Sequence, residues 1–272
     1  MMNKKDQKVC WQFHQSTNEE MPQNTMEAFV YAWDLGGIPE LDIRTTKDKV
    51  IIAFHDDTPD RTASTDQSFE NKKISECTLE EIKGWDAGSK LDDKYKGIQV
   101  PTLEETLQAM TGYPDRLVYL DLKDVDLSAL AKMIQDYHLA EQVIFTHKNQ
   151  QNCITMKQYF KNMKTMLWIG GKGQAIKDKF NTALQNDFEG LDQVQLHLND
   201  LENFTDWRYQ LEPSFLEHAV KEVTNRGLDL EVLPYKFDKD TLFALLDMGI
   251  YWYAVDEPKR FLSYVQQWRQ TV

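Results

Sequence analysis

GIPELDIRTTKDKVIIAFH (Gly37 to His55) contains two apolar stretches of strand length with only Arg44 to Lys49 between them. Parallel neighbours in a sheet need a crossover of about a dozen residues or more, so these two stretches read as the arms of an antiparallel hairpin. That reading decides the fold. Seven further strand-like runs are KVCWQF, RLVYLDL, QVIFTH, KTMLWI, LDQVQLHL, LDLEVL and IYWYAV. Setting aside the return arm that ends at His55 leaves eight strands, the number that closes a (β/α)8 TIM barrel. An open doubly wound sheet is the alternative, because strand order is not legible in one sequence.

Segments with helical periodicity lie between most of these strands, among them TMEAFVYAWDLG, TLEETLQAMTG, SALAKMIQDYH, PSFLEHAVKEVTNRG and KDTLFALLDMG. Strand alternating with helix predicts a parallel sheet wrapped by helices. Thr102 with Glu105 and Thr78 with Glu81 have capping-box spacing; Asn24 with Glu27 is a variant that predicts Asn24 as the cap of the first helix. Gly36, Gly112, Gly227 and Gly249 follow the apolar runs, as C-terminal caps do. The stretch from Asp57 to Val100, rich in Asp, Lys, Ser and Thr, reads as an insertion after the second barrel strand. No linker or repeat divides the chain, so a single domain over residues 1–272 is expected.

With 44 acidic against 31 basic residues the net charge is −13, which sets the long-range field against nucleic acids and anionic membranes. A small-molecule ligand, or an anion held through a bound cation, fits better. The hydrophobic content of 41% supports a proper core, and no apolar run approaches the length of about 18 residues that reads as a membrane span. Cys10, Cys77 and Cys153 are widely spaced and odd in number, which favours free thiols over a disulfide framework or a zinc site. A cytoplasmic protein is expected, or a secreted one whose signal has been removed.

Chemistry in a barrel sits where the strands end. Glu40 and Asp42 are two apart and share one face of their strand; Asp121 and Lys123 repeat the spacing. His14 and His55 each close a strand. Three carboxylates at one mouth repel one another unless a cation sits among them, and oxygen ligands without imidazole or thiolate favour Mg²⁺ or Ca²⁺ over Zn²⁺. Lys123 beside such an ion suits a phosphate oxygen, and two histidines provide an acid and a base titrating near neutrality, as phosphodiester cleavage needs.

In order along the chain come His14, PQNTMEAF (Pro22 to Phe29), ELD (Glu40 to Asp42), TTKDK (Thr45 to Lys49), HDDTPDRT (His55 to Thr62), VPTLEETL (Val100 to Leu107), YLDLK (Tyr119 to Lys123) and VDEP (Val255 to Pro258). This series resembles the signature of the glycerophosphodiester phosphodiesterase family, densely from His14 to Lys123. The resemblance implies a TIM barrel in which Glu40, Asp42 and Asp121 hold a divalent metal, His14 and His55 act as acid and base, and Lys123 contacts phosphate. It implies attack by the substrate's neighbouring hydroxyl, a cyclic phosphate opened by water, sn-glycerol 3-phosphate and an alcohol as products, and a place in lipid and glycerol metabolism. Asp121 stands where Glu is usual, as in the related sphingomyelinase D group.

Two departures stand out. Gln15 replaces the Arg after the first histidine, and Gln23 replaces the Glu of the Pro-Glu-Asn-Thr motif, so one positive and one negative group near the metal disappear together. The rival readings are a cyclising lyase or lysophospholipase D-type enzyme on the same fold, and a phosphodiester-binding barrel without turnover. A two-carboxylate glycosidase leaves the histidines and Lys123 unexplained. GGKG (Gly170 to Gly173) lacks Walker spacing and reads as a strand-to-helix turn; structural roles are expected for His147 and His197. The aromatic residues Phe204, Trp207 and Tyr209 lie in the loop after LDQVQLHL, which is expected to meet a substrate tail.

Overall fold

The structure is a computed structural model that describes residues 4–16 and 20–271. Among these residues nine strands form, one for each apolar run: β1 (Cys10–Phe13), β2 (Ile38–Thr45), β3 (Ile51–Ala53), β4 (Val118–Leu122), β5 (Val143–His147), β6 (Lys164–Ile169), β7 (Gln193–Leu198), β8 (Asp229–Pro234) and β9 (Trp252–Val255). Their order is β1-β9-β8-β7-β6-β5-β4-β2-β3, and a β1–β2 pairing closes eight of them into a (β/α)8 barrel with β3 as the extra strand. The hairpin is as expected: β2 and β3 are antiparallel, with Ile43 opposite Ala53 and Thr45 opposite Ile51.

The α-helices are α1 (Met26–Asp34), α2 (Leu79–Lys83), α3 (Leu103–Met110), α4 (Leu127–Tyr137), α5 (Gln150–Tyr159), α6 (Gln174–Gln185), α7 (Pro213–Thr224), α8 (Lys239–Asp247) and α9 (Pro258–Trp268). Both full capping boxes form, at Thr78 and at Thr102. Gly36, Gly112, Gly227 and Gly249 all take positive φ just beyond helix ends, where a side chain would be strained. GGKG is the turn from β6 into α6. One cap differs from expectation. Thr25, not Asn24, caps α1, accepting from the Ala28 N–H, while Asn24 adopts φ +53° and turns its side chain elsewhere.

By the density of their contacts the residues fall into two compact units. Among the described residues, one comprises 13–16, 20–146 and 155–163, the other 4–12, 147–154 and 164–271. In the first unit, β2 and β4 run parallel with Asp42 opposite Asp121, and β4 continues parallel into β5. The 57–100 segment of this unit has its own apolar cluster, in which Ile74, Cys77, Ile82 and Trp85 pack beneath Phe54. In the second unit β6 to β9 are parallel, and one face of β7 is polar. There Glu231, fully buried, accepts from Gln193 Nε2 and Gln195 Nε2, so the buried carboxylate keeps hydrogen-bond partners. Tyr209 is buried with its hydroxyl on the Lys236 carbonyl, which makes it a core residue rather than one that meets a substrate tail; Phe204 is exposed.

Candidate active site

The register of β2 against β4 brings the acidic side chains together. Asp42 and Asp121 are lateral neighbours, and Glu40 lies two residues back on the same face of β2. One oxygen from each of Glu40, Asp42 and Asp121 lies within 4.8 Å of the others, and all three residues are buried. Lys123 follows β4 and keeps its ladder going, its N–H donating to the Ile43 carbonyl. Its ammonium reaches back to Asp121 Oδ2 at 2.6 Å and lies 3.0 Å from Asp42 Oδ1.

The surroundings treat the three carboxylates differently. Burial pushes the Glu40 carboxyl up to about 7, and the charges of Asp42 and Asp121 add to the rise against the opposing influence of His14 and the Gln15 N–H. Burial would raise Asp42 as well, but the Lys123 charge outweighs it, helped by His55 and a hydrogen bond from Asn24, and the carboxyl stays below its ordinary range. Lys123 is buried enough to lower its pKa, yet Asp42 and Asp121 hold the ammonium above its usual value.

His14 begins the short turn after β1, and its charge acts on Glu40. The next residue, Gln15, sits at φ +48°, a left-handed conformation sparsely used by residues other than glycine, and from there its N–H donates to Glu40 Oε2 at 2.9 Å. The polar loop that follows includes residues 17–19, which lie outside the described residues. His55 lies two residues past the end of β3 rather than closing it. Its carbonyl accepts from Arg44 Nε and Nη2, at 3.0 and 2.8 Å, and its ring Nδ1 meets Asp56 Oδ1 at 2.5 Å.

Asp56 is in turn gripped by Arg61, Nε to Oδ2 at 2.6 Å and Nη2 to Oδ1 at 2.9 Å. Burial would raise the Asp56 carboxyl, but the Arg61 hydrogen bond and the contact with His55 hold it below its ordinary range. Arg61 Nη2 also donates to Gln23 Oε1 at 2.9 Å. Gln23, which by the motif lies near the metal, gives its side-chain carbonyl to the arginine that grips Asp56.

Three residues beside the predicted site groups have no place in the site as read from sequence. Asn24 clamps Asp42 from both sides, Nδ2 to Oδ2 at 2.7 Å and Asp42 N–H to Oδ1 at 2.9 Å. Asp56 and Arg61 were visible only as parts of HDDTPDRT, and their partnership depends on how that loop folds back. His147 takes hydrogen bonds at Nδ1 from Asn149 N–H and Asn152, and His197 stacks on Trp168 and meets Gln195 and Tyr235.

The donor set suits a hard divalent cation: three oxygens from three carboxylates, and no imidazole or thiol among the clustered ligands. Asp42 Oδ1 makes no hydrogen bond of acceptable geometry despite the nearby ammonium. A buried carboxylate oxygen left in that state is a group that a bound cation would satisfy.

The chain resembles proteins of known kind across nearly its whole length. The glycerophosphodiester phosphodiesterase of Caldanaerobacter subterraneus subsp. tengcongensis is 27% identical over 264 residues, covering 93% of this chain and 96% of that protein. A glycerophosphodiester phosphodiesterase crystal structure from Agrobacterium tumefaciens superposes with a TM-score of 0.74 at 19% identity, covering 94% of this chain and 99% of the other. A phosphodiesterase from Oleispira antarctica, solved in complex with the product sn-glycerol-3-phosphate, superposes with a TM-score of 0.73 at 18% identity over 95% of this chain and 97% of its own. The model of the glycerophosphoryl diester phosphodiesterase family matches residues 14–260, a span that includes every acidic, imidazole and ammonium group described above, and the chain belongs to that family as one of its phosphodiesterases.

Proposed function

We propose that this chain hydrolyses glycerophosphodiesters to sn-glycerol 3-phosphate and an alcohol. The observation that carries the reading is the buried triad Glu40, Asp42 and Asp121, whose oxygens converge within 4.8 Å, with the charges of His14 and His55 acting on two of its members. The triad would hold one divalent cation, Mg²⁺ or Ca²⁺, which when bound supplies charge stabilisation to a phosphoryl oxygen.

His14 and His55 act as the general acid and base: one takes a proton from the glycerol hydroxyl next to the phosphate, the other gives one to the departing alcohol oxygen. The new phosphorus–oxygen bond closes a cyclic phosphate as the bond to the alcohol breaks, and water opens the ring with the proton roles reversed. Asp56, held by Arg61, keeps His55 in one tautomer with its Nε2 toward the substrate. Lys123 reaches phosphate from its seat between Asp42 and Asp121, and Asn24 keeps Asp42 aimed at the cation. The whole chain, 57–100 segment included, works as one phosphodiesterase domain. The three free cysteines support a reducing, cytoplasmic setting, and no described helix is long and apolar enough to cross a membrane.

Release of glycerol 3-phosphate from glycerophosphocholine and glycerophosphoethanolamine, with Mg²⁺, with Ca²⁺ and with chelator, tests the reading alongside His14→Ala and His55→Ala. Cation-dependent release that falls by about 100-fold or more in either variant supports it. Phosphorus NMR separates full hydrolysis from a reaction that stops at the cyclic phosphate. No release from folded protein with either cation would rule the reading out for these substrates.

A further inference from the structure

Resting on the phosphodiesterase reading, we propose that a cavity of about 230 Å³, walled in part by the Arg61 that reaches His55, receives the alcohol end of the substrate and selects hydroxylated or acidic alcohols over permanently cationic ones. Gln23, Arg61 and Lys90 supply its polar wall, Pro22 and Leu91 much of its apolar one, and among the described residues neither a carboxylate nor an aromatic ring lines it. Arg61 joins the cavity to the chemistry, because the Nη2 that donates to Gln23 Oε1 lies 3.5 Å from His55 Nδ1. The glycerol end is common to all glycerophosphodiesters, so a cavity that discriminates among them does so at the end that varies.

Charge, rather than size, is the discriminating property. Quaternary ammonium groups are recognised by aromatic faces or carboxylates, and this wall offers neither. It offers two cations and a neutral amide. Arg61 is largely balanced by Asp56, and Lys90 stands exposed on a loop tied down by hydrogen bonds to Asp86. Asp86 accepts from the N–H groups of Gly88 and Ser89, both at 2.9 Å, and of Gly97 at 3.0 Å. Gly88 is required there, since a Cβ would fall 2.0 Å from the Tyr95 carbonyl oxygen. The Lys90 ammonium donates to the Asp60 carbonyl, and the Asp60 carboxylate, which accepts from the Asn71 N–H, lies near enough for the Lys90 charge to act on it. Hydroxyl or carboxylate groups of an entering alcohol therefore find donors on Arg61, Lys90 and Gln23, and a fixed positive charge finds, among the described lining residues, no carboxylate or ring to replace its lost hydration.

The test compares kcat/KM of the full chain for glycerophosphoglycerol and glycerophosphocholine, with Lys90→Gln, Lys90→Glu and Gln23→Glu, each checked for a native urea transition. We expect a preference of roughly tenfold for glycerophosphoglycerol, reduced in Lys90→Gln and lost in Lys90→Glu and Gln23→Glu. Equal or better turnover of the choline diester by the unaltered chain, or a preference indifferent to charge at position 90, overturns the assignment. If neither diester is turned over, the phosphodiesterase reading fails on its own account, and calorimetric titration of the same two compounds decides the cavity's role. Tighter glycerophosphoglycerol binding, weakened by Lys90→Glu, supports it; equal binding, or none, overturns it.

Discussion

Glu40→Gln is expected to stabilise the cation-free protein at pH 8 while abolishing its response to divalent cations. Burial is the largest influence on this carboxyl, pushing it from 4.5 up to about 7, with the charges of Asp42 and Asp121 adding to the rise. Between those two values the folded protein keeps a proton that the unfolded chain has already released, so the free energy of unfolding falls as pH rises through the window. Below it both states are protonated and the penalty is absent; above it both are ionised and the penalty is fully present. The span from 4.5 to about 7, at about 1.4 kcal/mol for each tenfold in proton affinity, sets that penalty at about 3 kcal/mol.

Glutamine keeps an oxygen to accept the Gln15 N–H but carries no charge into the buried site. Urea denaturation with chelator should therefore show the variant more stable than the parent by about 2–3 kcal/mol at pH 8, and by less than about 1 kcal/mol at pH 5. Millimolar Mg²⁺ or Ca²⁺ should then raise the midpoint of the parent and leave that of the variant nearly unchanged. A variant less stable than the parent at pH 8, by as much as at pH 5, would refute the claim that burial and like charge strain Glu40.

Two further substitutions probe the groups around the triad. Asn24→Ala removes both hydrogen bonds from buried Asp42 and puts alanine at φ +53°, so cation-free stability should fall by about 2–3 kcal/mol; a loss under about 0.5 kcal/mol in urea titrations would show that Asp42 needs no clamp. Asp56→Asn should lower kcat by roughly 10- to 100-fold with little change in KM and alter the nitrogen NMR signature of the His55 ring, because the amide no longer enforces one tautomer. Unchanged ring nitrogen shifts would remove Asp56 from that role.

Local patterns made much of this protein legible. All nine strands, the β2–β3 hairpin, the boxes at Thr78 and Thr102, and the glycines past helix ends follow from hydrophobic period and turn chemistry within a few residues of each feature. The clustering of Glu40, Asp42 and Asp121 was likewise expected, because residues two apart on a strand must share a face and strands that end at one barrel mouth bring such faces together. Helices α5, α6 and α9 were not singled out. In α5 four amide side chains, Gln150, Gln151, Asn152 and Gln158, together with Thr155 and Lys157, blur the apolar stripe.

What the sequence alone determined was therefore the set of elements, the faces they present and the residue types that meet at the mouth. Tertiary structure decided which polar side chain serves which partner. Asn24 has the chemistry of a helix cap and is used as a clamp on Asp42, because Thr25 sits one residue nearer the first turn and takes the cap. The motif does not say which group Gln23 serves, and its carbonyl goes to Arg61 because the loop after β3 folds back to bring that arginine across 38 residues of chain. Periodicity and capping are set by neighbours along the backbone. A hydrogen bond between distant side chains depends on where two loops come to rest, and only the folded chain fixes that.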